Sequence, residues 1–390
     1  MSAHYARYLK IELPAKQSAF LWGARKTGKS TYLKETFPQA VYYDFLHSEV
    51  LFKFLTTPHI FREEILALDP NQSGKLIIVD EVQKLPEILN EIHWLIENTD
   101  FQFILCGSSA RKLRRLGSNL LGGRAWKYHF FPLIFPEITD FDLLRIFTHG
   151  TIPAHYHSAN IRKALKAYIE DYLTLEIQAE GLVRNLPAFS RFLESIRFSH
   201  GELLNYTNMA RDCGIDAKTV KEYFTILVDT LVGYYLYPYH KKVKRDLISH
   251  TPKFYLFDVG VANYIKQKNI TDLKGIEAGQ SLEHYIFLEI TAYKTLKDKN
   301  FDITFWRTKT GYEVDFILGD AQVAIEVKIM DNIQKADTKG LQAFMQEHTA
   351  TTNYIVSLVS RERKMTTANG DIHVLPVKTF LSRLWNDEII

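Results

Sequence analysis

The first third of the chain alternates short apolar runs with amphipathic stretches. Strand-length apolar runs occur at Ala19–Trp22, Ala40–Phe45, Lys75–Val79 and Phe101–Cys106. Helical spacing lies between them, around Lys29–Thr36, Glu49–Leu55, Phe61–Leu68 and Pro86–Glu97. Alternating strands and helices predict an α/β fold, a mainly parallel sheet with helices on both faces. Pro132 and Pro136 bracket the end of this pattern. From Asp140 to Tyr237 the chain turns helical, with 3.6-residue spacing at Ile161–Glu176 and Phe189–Ser199. The last third changes again. A helix is predicted at Ser281–Lys297, then strands at Asp302–Arg307, Glu313–Leu318, Gln322–Ile329 and Asn353–Leu358, an α/β domain with an antiparallel core. The pattern divides the chain into residues 1–140, 141–255 and 256–390.

Composition narrows the classes. At about 150 residues per domain, 390 residues suit two or three domains. A chain with 46% hydrophobic and 13% aromatic residues has ample core and is not disordered. A net charge of +3 excludes a histone-like polycation, so a nucleic-acid site would be a local patch. Basic residues do concentrate at Arg111, Lys112, Arg114, Arg115, Arg124 and Lys127, and at Lys241, Lys242, Lys244 and Arg245. No apolar run is long enough to span a bilayer, so no membrane partner is expected. Cys106 and Cys213 form no disulfide framework or metal spacing, and a cytoplasmic location is expected. Cys106 reads as a small core residue. The 14 histidines show no metal-binding spacing.

Gly23-Ala24-Arg25-Lys26-Thr27-Gly28-Lys29-Ser30-Thr31 contains G-x-x-x-x-G-K-[ST] between a predicted strand and a predicted helix. That context makes it a phosphate loop, in which backbone N–H groups cradle phosphates. Lys29 is expected on the β- and γ-phosphates of ATP, and Ser30 on Mg²⁺. Leu76-Ile77-Ile78-Val79-Asp80-Glu81 is an apolar strand ending in two acids. Asp80 is the expected second Mg²⁺ contact, and Glu81 the group that orients and deprotonates the attacking water. The extra strand and helix between the motifs, Ala40 to Leu68, predict the additional-strand type of P-loop ATPase, with sheet order 5-1-4-3-2. Ser108, after the next strand, is a candidate reader of the γ-phosphate; its plainer reading is a helix N-cap. Arg124 is a candidate arginine finger acting on a neighbouring subunit of a homo-oligomer; its plainer readings are a nucleic-acid contact or a surface ion pair.

These residues, with Val79–Pro86, Cys106–Ser109 and Leu121–Arg124, resemble a prokaryotic family of AAA+ ATPases with a C-terminal DUF4143 domain. The resemblance continues in Asp171-Tyr172-Leu173, Lys253–Gly260, Arg307 with Gly311–Phe316, and Ile325–Lys328, and covers nearly the whole chain. It implies ATP binding and leaves the substrate open.

In the middle third, Asn205–Ile215 reads as a helix ended by Gly214, and Asp216–Phe224 as a second helix, the spacing of a helix-turn-helix. With strands at Gly233–Tyr239 and Lys253–Phe257 this predicts a winged-helix module. Lys218, Thr219 and Lys221 are its candidate DNA contacts, with packing against a protein partner as the alternative.

Glu313–Leu318 and Val323–Lys328 flank a short turn. A simple hairpin with Leu318 opposite Val323 places Asp315 opposite Glu326 and Glu313 opposite Lys328, all on one face. Like charges directly opposed call for compensation, and a second Mg²⁺ or Mn²⁺ is the expected compensator. This Asp…Glu-x-Lys arrangement resembles restriction-endonuclease-like folds, with Lys328 as the catalytic lysine and Glu283 as the further acidic ligand. The alternative is a charged sheet face held by ion pairs. The expected function is a Mg²⁺-dependent ATPase coupled to a winged helix and a nuclease-like domain, acting on or with DNA. The alternative is a nucleotide-driven scaffold with an inactive nuclease-like domain that binds a protein.

Overall fold

A computed structural model of the protein describes residues 5–68, 75–109, 111, 113, 121–170, 185–240, 251–348 and 352–390. Lys112, Arg114, Arg115, Asp171-Tyr172-Leu173 and Lys241–Arg245, named above, lie outside the described residues. The chain forms two compact units, Met1–Leu133 with Asp229–Val232, and Ile134–Val228 with Gly233–Ile390.

The first unit runs β1 (Ser18–Trp22), α1 (Lys29–Thr36), β2 (Val41–Asp44), α2 (Ser48–Thr56), α3 (His59–Leu66), β3 (Leu76–Asp80), α4 (Ile88–Asn98), β4 (Gln102–Gly107) and β5 (Ala125–His129). All neighbouring strands are parallel, in the order β2-β3-β4-β1-β5. This is the predicted order 5-1-4-3-2 read from the other edge. Strands β1, β3 and β4 are near-continuous apolar runs because helices cover both faces. Helix α4 buries Ile88, Leu89, Ile92, Leu95 and Ile96, one stripe at helical spacing. Tyr43, Phe54 and Phe61 meet edge to face beneath β2, with ring centroids 5.0–5.8 Å apart. Parallel strands end on one side of the sheet. The turns after β1, β3 and β4 therefore converge, and the site lies there.

The second unit opens with α5 (Leu143–His149), α6 (Pro153–Tyr156), α7 (Ile161–Ala167), α8 (Leu186–Ser199), α9 (Tyr206–Cys213) and α10 (Ala217–Asp229). The two helices predicted around Gly214 form, the second running on to Asp229. Asn205 caps α9 by accepting from the Asn208 N–H, Gly214 ends it at φ 66°, and Asp216 accepts from the Thr219 N–H at the start of α10.

The chain continues through β6 (Gly233–Pro238), β7 (Lys253–Leu256), α11 (Val259–Ile265), α12 (Gly275–Leu296), β8 (Ile303–Arg307), β9 (Glu313–Leu318) and β10 (Val323–Lys328). It ends with α13 (Lys339–Glu347), β11 (Thr352–Ser357), β12 (Arg363–Thr367), β13 (Gly370–Pro376) and α14 (Val377–Trp385). Among the described residues these strands form one sheet in the order β12-β13-β11-β10-β9-β8-β6-β7.

Three features depart from expectation. β8-β9-β10, β6-β7 and β12-β13 are antiparallel, whereas β10, β11 and β13 run parallel, with α13 carrying the chain back between β10 and β11. β6 and β7, the strands expected to form a wing, pair antiparallel, yet β6 also pairs with β8, so both belong to the C-terminal sheet. Helix α12 begins at Gly275 rather than Ser281; its Gly279 packs against Ile329, which a Cβ would approach to 3.2 Å.

Candidate functional site

The phosphate loop is folded tightly against its own unit. Gly23 lies so close to the backbone of Phe130 that a Cβ there would come within 2.4 Å of its carbonyl oxygen. Lys26 and Gly28 both adopt positive φ, 60° and 96°, the alternation that points successive N–H groups inward. Thr27 donates from its hydroxyl to the Ala24 carbonyl at 2.8 Å. The Lys29 ammonium donates to the carbonyls of Gly23 at 2.7 Å and Ala24 at 3.0 Å. Ser30 and Thr31 open α1, with Ser30 half-buried and Thr31 exposed.

The end of β3 closes the site. Ser30 Oγ donates to Asp80 Oδ2 at 2.6 Å, and Tyr42 Oη donates to the same oxygen at 2.5 Å. Burial pushes the Asp80 carboxyl up, but these donors outweigh it and hold it below the usual carboxylate range. Tyr42 is raised in turn, first by burial and then by Asp80. Ser30 and Asp80 are thus preassembled at hydrogen-bond distance. This fits Mg²⁺, which takes few protein ligands and keeps phosphate and water in its shell.

Glu81 stands at φ 56°, in the left-handed region. Its Oε2 accepts from Gln83 Nε2 at 2.5 Å and faces Arg25, 3.9 Å away. Gln83 Nε2 also donates to Ser108 Oγ at 3.1 Å. Ser108 is buried and stands directly after β4, beside the acids as expected. Arg124 is not brought here. It precedes β5, at the other end of the sheet, and pairs through Nε with Glu97. Sequence reading missed Tyr42, Gln83 and Arg7. Arg7 donates to the carbonyls of Thr27 and Phe131, both at 2.7 Å, and stacks over Phe130 at 4.1 Å. Tyr42 and Arg7 lie outside the recognisable motifs, and only their fold position reveals them.

A second cluster lies in the other unit. The β9–β10 ladder pairs Leu318 with Val323, Ile317 with Ala324 and Phe316 with Ile325, the predicted register. It ends one pair short of Asp315 and Glu326, and Asp315 Oδ2 instead accepts from the Val327 N–H at 2.7 Å. Lys328 Nζ meets Glu326 Oε1 at 2.6 Å. Glu283, on α12, accepts from Lys253 at 3.2 Å and Tyr255 at 2.5 Å. Lys253, which sequence reading assigned to a wing, is buried and also contacts Glu313 at 2.6 Å. Burial lowers its ammonium, but the acids, Glu283 first, hold it well above its ordinary value. Burial pushes Glu326 up to about 7 against the pull of Lys328. Burial and then Glu326 raise Asp315.

Among the described residues no group of three or more His, Cys, Asp or Glu side chains is arranged to hold a metal ion. The expected second Mg²⁺ or Mn²⁺ at Glu283, Asp315 and Glu326 is therefore not supported. Lys253 and Lys328 supply the compensating charge that the sequence reading gave to a cation.

Parallel order and a phosphate loop facing paired acids define a P-loop ATPase fold. The chain combines an AAA domain with a C-terminal DUF4143 domain. Residues 15–139 match the AAA domain family, and residues 278–380 match the domain of unknown function DUF4143. Residues 140–273 between them match another domain of unknown function, DUF8612. No curated protein matches the chain. Two solved structures are similar to parts of it. The Orc1 protein of Aeropyrum pernix in complex with DNA is 14% identical, with TM-score 0.24, over 66% of this chain and 87% of that one. A signal transduction ATPase with numerous domains and a tetratricopeptide repeat sensor, from Pyrococcus horikoshii, is 12% identical, with TM-score 0.22, over 73% of this chain and 48% of that one. No helix among the described residues is long and apolar enough to cross a membrane.

Proposed function

We infer that the protein is a cytoplasmic Mg²⁺-dependent ATPase whose nucleotide state is passed to a nuclease-like C-terminal unit that binds DNA without cutting it. The observation that carries the ATPase reading is the Ser30–Asp80 pair beside Lys29 and Glu81. Gly23–Thr31 would hold the phosphates, and Ser30 and Asp80 the Mg²⁺, which when bound neutralises phosphate charge. Glu81 would orient and deprotonate the water. Glu81→Gln should then bind ATP with little change and hydrolyse it at least about 100-fold more slowly. Unchanged hydrolysis would remove the role of Glu81.

Lys253 supports the non-cleaving role: it occupies Glu283 and Glu313 and neutralises the cluster from within. DNA binding is supported by Lys218 and Lys221, both exposed on α10. Thr219 is a weaker candidate, because its hydroxyl donates to Asp216 at 2.9 Å. The nuclease reading has its own support in the convergence of Asp315, Glu326 and Lys328. Plasmid with Mg²⁺ or Mn²⁺ separates the two. Nicking by the wild type and not by Lys328→Ala establishes cleavage. No nicking, together with salt-dependent DNA binding weakened by Lys218→Ala and Lys221→Ala, supports the non-cleaving reading. Binding that these changes leave untouched would assign the helix-turn-helix to a protein partner.

A further inference from the structure

Glu81 and Ser108 stand on different turns, and one side chain touches both. Gln83 Nε2 is 2.5 Å from Glu81 Oε2 and 3.1 Å from Ser108 Oγ. A carboxylate only accepts, so the amide nitrogen must face Glu81; its two hydrogens suffice for both partners. Because Ser108 accepts from Gln83, its own proton is left to donate to an anion. Among the described residues Gln83 Oε1 is buried without a hydrogen-bond partner, and the amide is held by its nitrogen side. The space for it comes from Gly107, where a Cβ would lie 2.4 Å from Gln83 Oε1 and 2.8 Å from the Trp22 ring. Gln83 is itself 4% exposed.

We propose that Gln83 is a positioning residue that ties the water-activating carboxylate of Glu81 to Ser108, the residue facing the γ-phosphate. The proposal rests on the reading of Glu81 as the base. A γ-phosphate oxygen that accepts a hydrogen bond from the Ser108 hydroxyl fixes that hydroxyl, and the shared amide holds the Glu81 carboxylate in a set direction relative to it. Gln83 acts through Glu81 and Ser108, so its effect falls on turnover and not on ATP binding.

The test is steady-state ATP hydrolysis by the full chain with Gln83→Met. Gln83→Met keeps the length and loses the donor. It should lower kcat about 10- to 100-fold and leave KM, and the affinity for a non-hydrolysable ATP analogue, within about twofold. Gln83→Met combined with Ser108→Ala should be no slower than the slower single variant, because both break one relay. A kcat within twofold of wild type for Gln83→Met, or fully multiplicative effects in the double variant, would overturn the proposal. A residue that only packs would lower Tm without splitting kcat from KM. If Glu81→Gln retains full hydrolysis, the reading of Glu81 fails on its own, whatever the Gln83 variants do.

Discussion

At the scale of single residues, the two charged clusters solve opposite problems. Asp80 is kept ionised by donors: Ser30 and Tyr42 both point at one oxygen. Tyr42→Phe removes a hydrogen bond to a charged group and should cost about 1.5–3 kcal/mol in chemical denaturation, while raising the Asp80 carboxyl. The C-terminal cluster is kept buried by cations. Glu326 sits at about 7, above the roughly 4.3 of an unfolded glutamate, so the folded state holds its proton more tightly. Its burial therefore costs nothing below pH 4; the cost grows as pH rises toward 7 and is complete above it. Lys328, 2.6 Å from Glu326, offsets part of that cost, while Lys253 pairs with Glu283 and Glu313. Lys253→Met should destabilise by about 3–5 kcal/mol at pH 8, because it leaves the half-buried Glu283, Glu313 and Asp315 without its charge. The penalty should shrink at pH 5, where Asp315 and Glu326, both raised by burial, can hold protons. Denaturation midpoints of wild type and variant at both pH values check this; an equal loss at both would show that Lys253 acts by packing alone.

At the scale of elements, what the sequence made legible was whatever depends on local spacing. The phosphate loop, the apolar strand before Asp80 and the caps of the helix-turn-helix are all short-range signals, and each formed where it was read. The hairpin register was legible too, because turn length and alternation fix it. What stayed hidden depends on long-range pairing. Strand β12 is charged and mostly exposed, as an edge strand must be, so it lacks an apolar signature. Lys253 alternates like a wing residue, and nothing local reveals that β6 pairs with β8 and carries it into the acids. The motif Lys253–Gly260 entered as part of a resemblance and has a structural basis. Asp258 caps α11 through the Val261 N–H at 2.9 Å and accepts from the Thr151 N–H at 2.6 Å. A Cβ on Gly260 would fall 2.3 Å from the Gly150 nitrogen. Gly260→Ala should thus cost well over the roughly 1 kcal/mol of a simple loop glycine, because backbone must move. Gly214→Ala, at φ 66° beside only an Arg191 tip, should stay near that value. A thermal-melt comparison of the two variants tests whether close approach or backbone conformation dominates.

At the scale of the whole molecule, the position of Arg124 decides what kind of assembly the chain can form. β5 runs parallel to β1, pairing Ala125 with Ser18 and His129 with Trp22. Arg124 therefore precedes the strand at the end of the sheet opposite the phosphate loop, about 15 Å away along a five-residue strand. No rotamer of a side chain bound to Glu97 brings it to the γ-phosphate of its own site. If it is a finger, it serves a neighbour, and hydrolysis then needs two chains. Specific ATPase activity should rise with protein concentration and level off as assembly saturates. Arg124→Ala should remove that rise and lower the plateau about 10³-fold, the usual worth of such a residue. Mixing Arg124→Ala with Glu81→Gln should restore part of the activity, because one interface then pairs an intact Arg124 with an intact Glu81. A specific activity independent of concentration, together with wild-type rates for Arg124→Ala, would leave the Arg124–Glu97 pair as a surface ion pair worth at most about 1 kcal/mol.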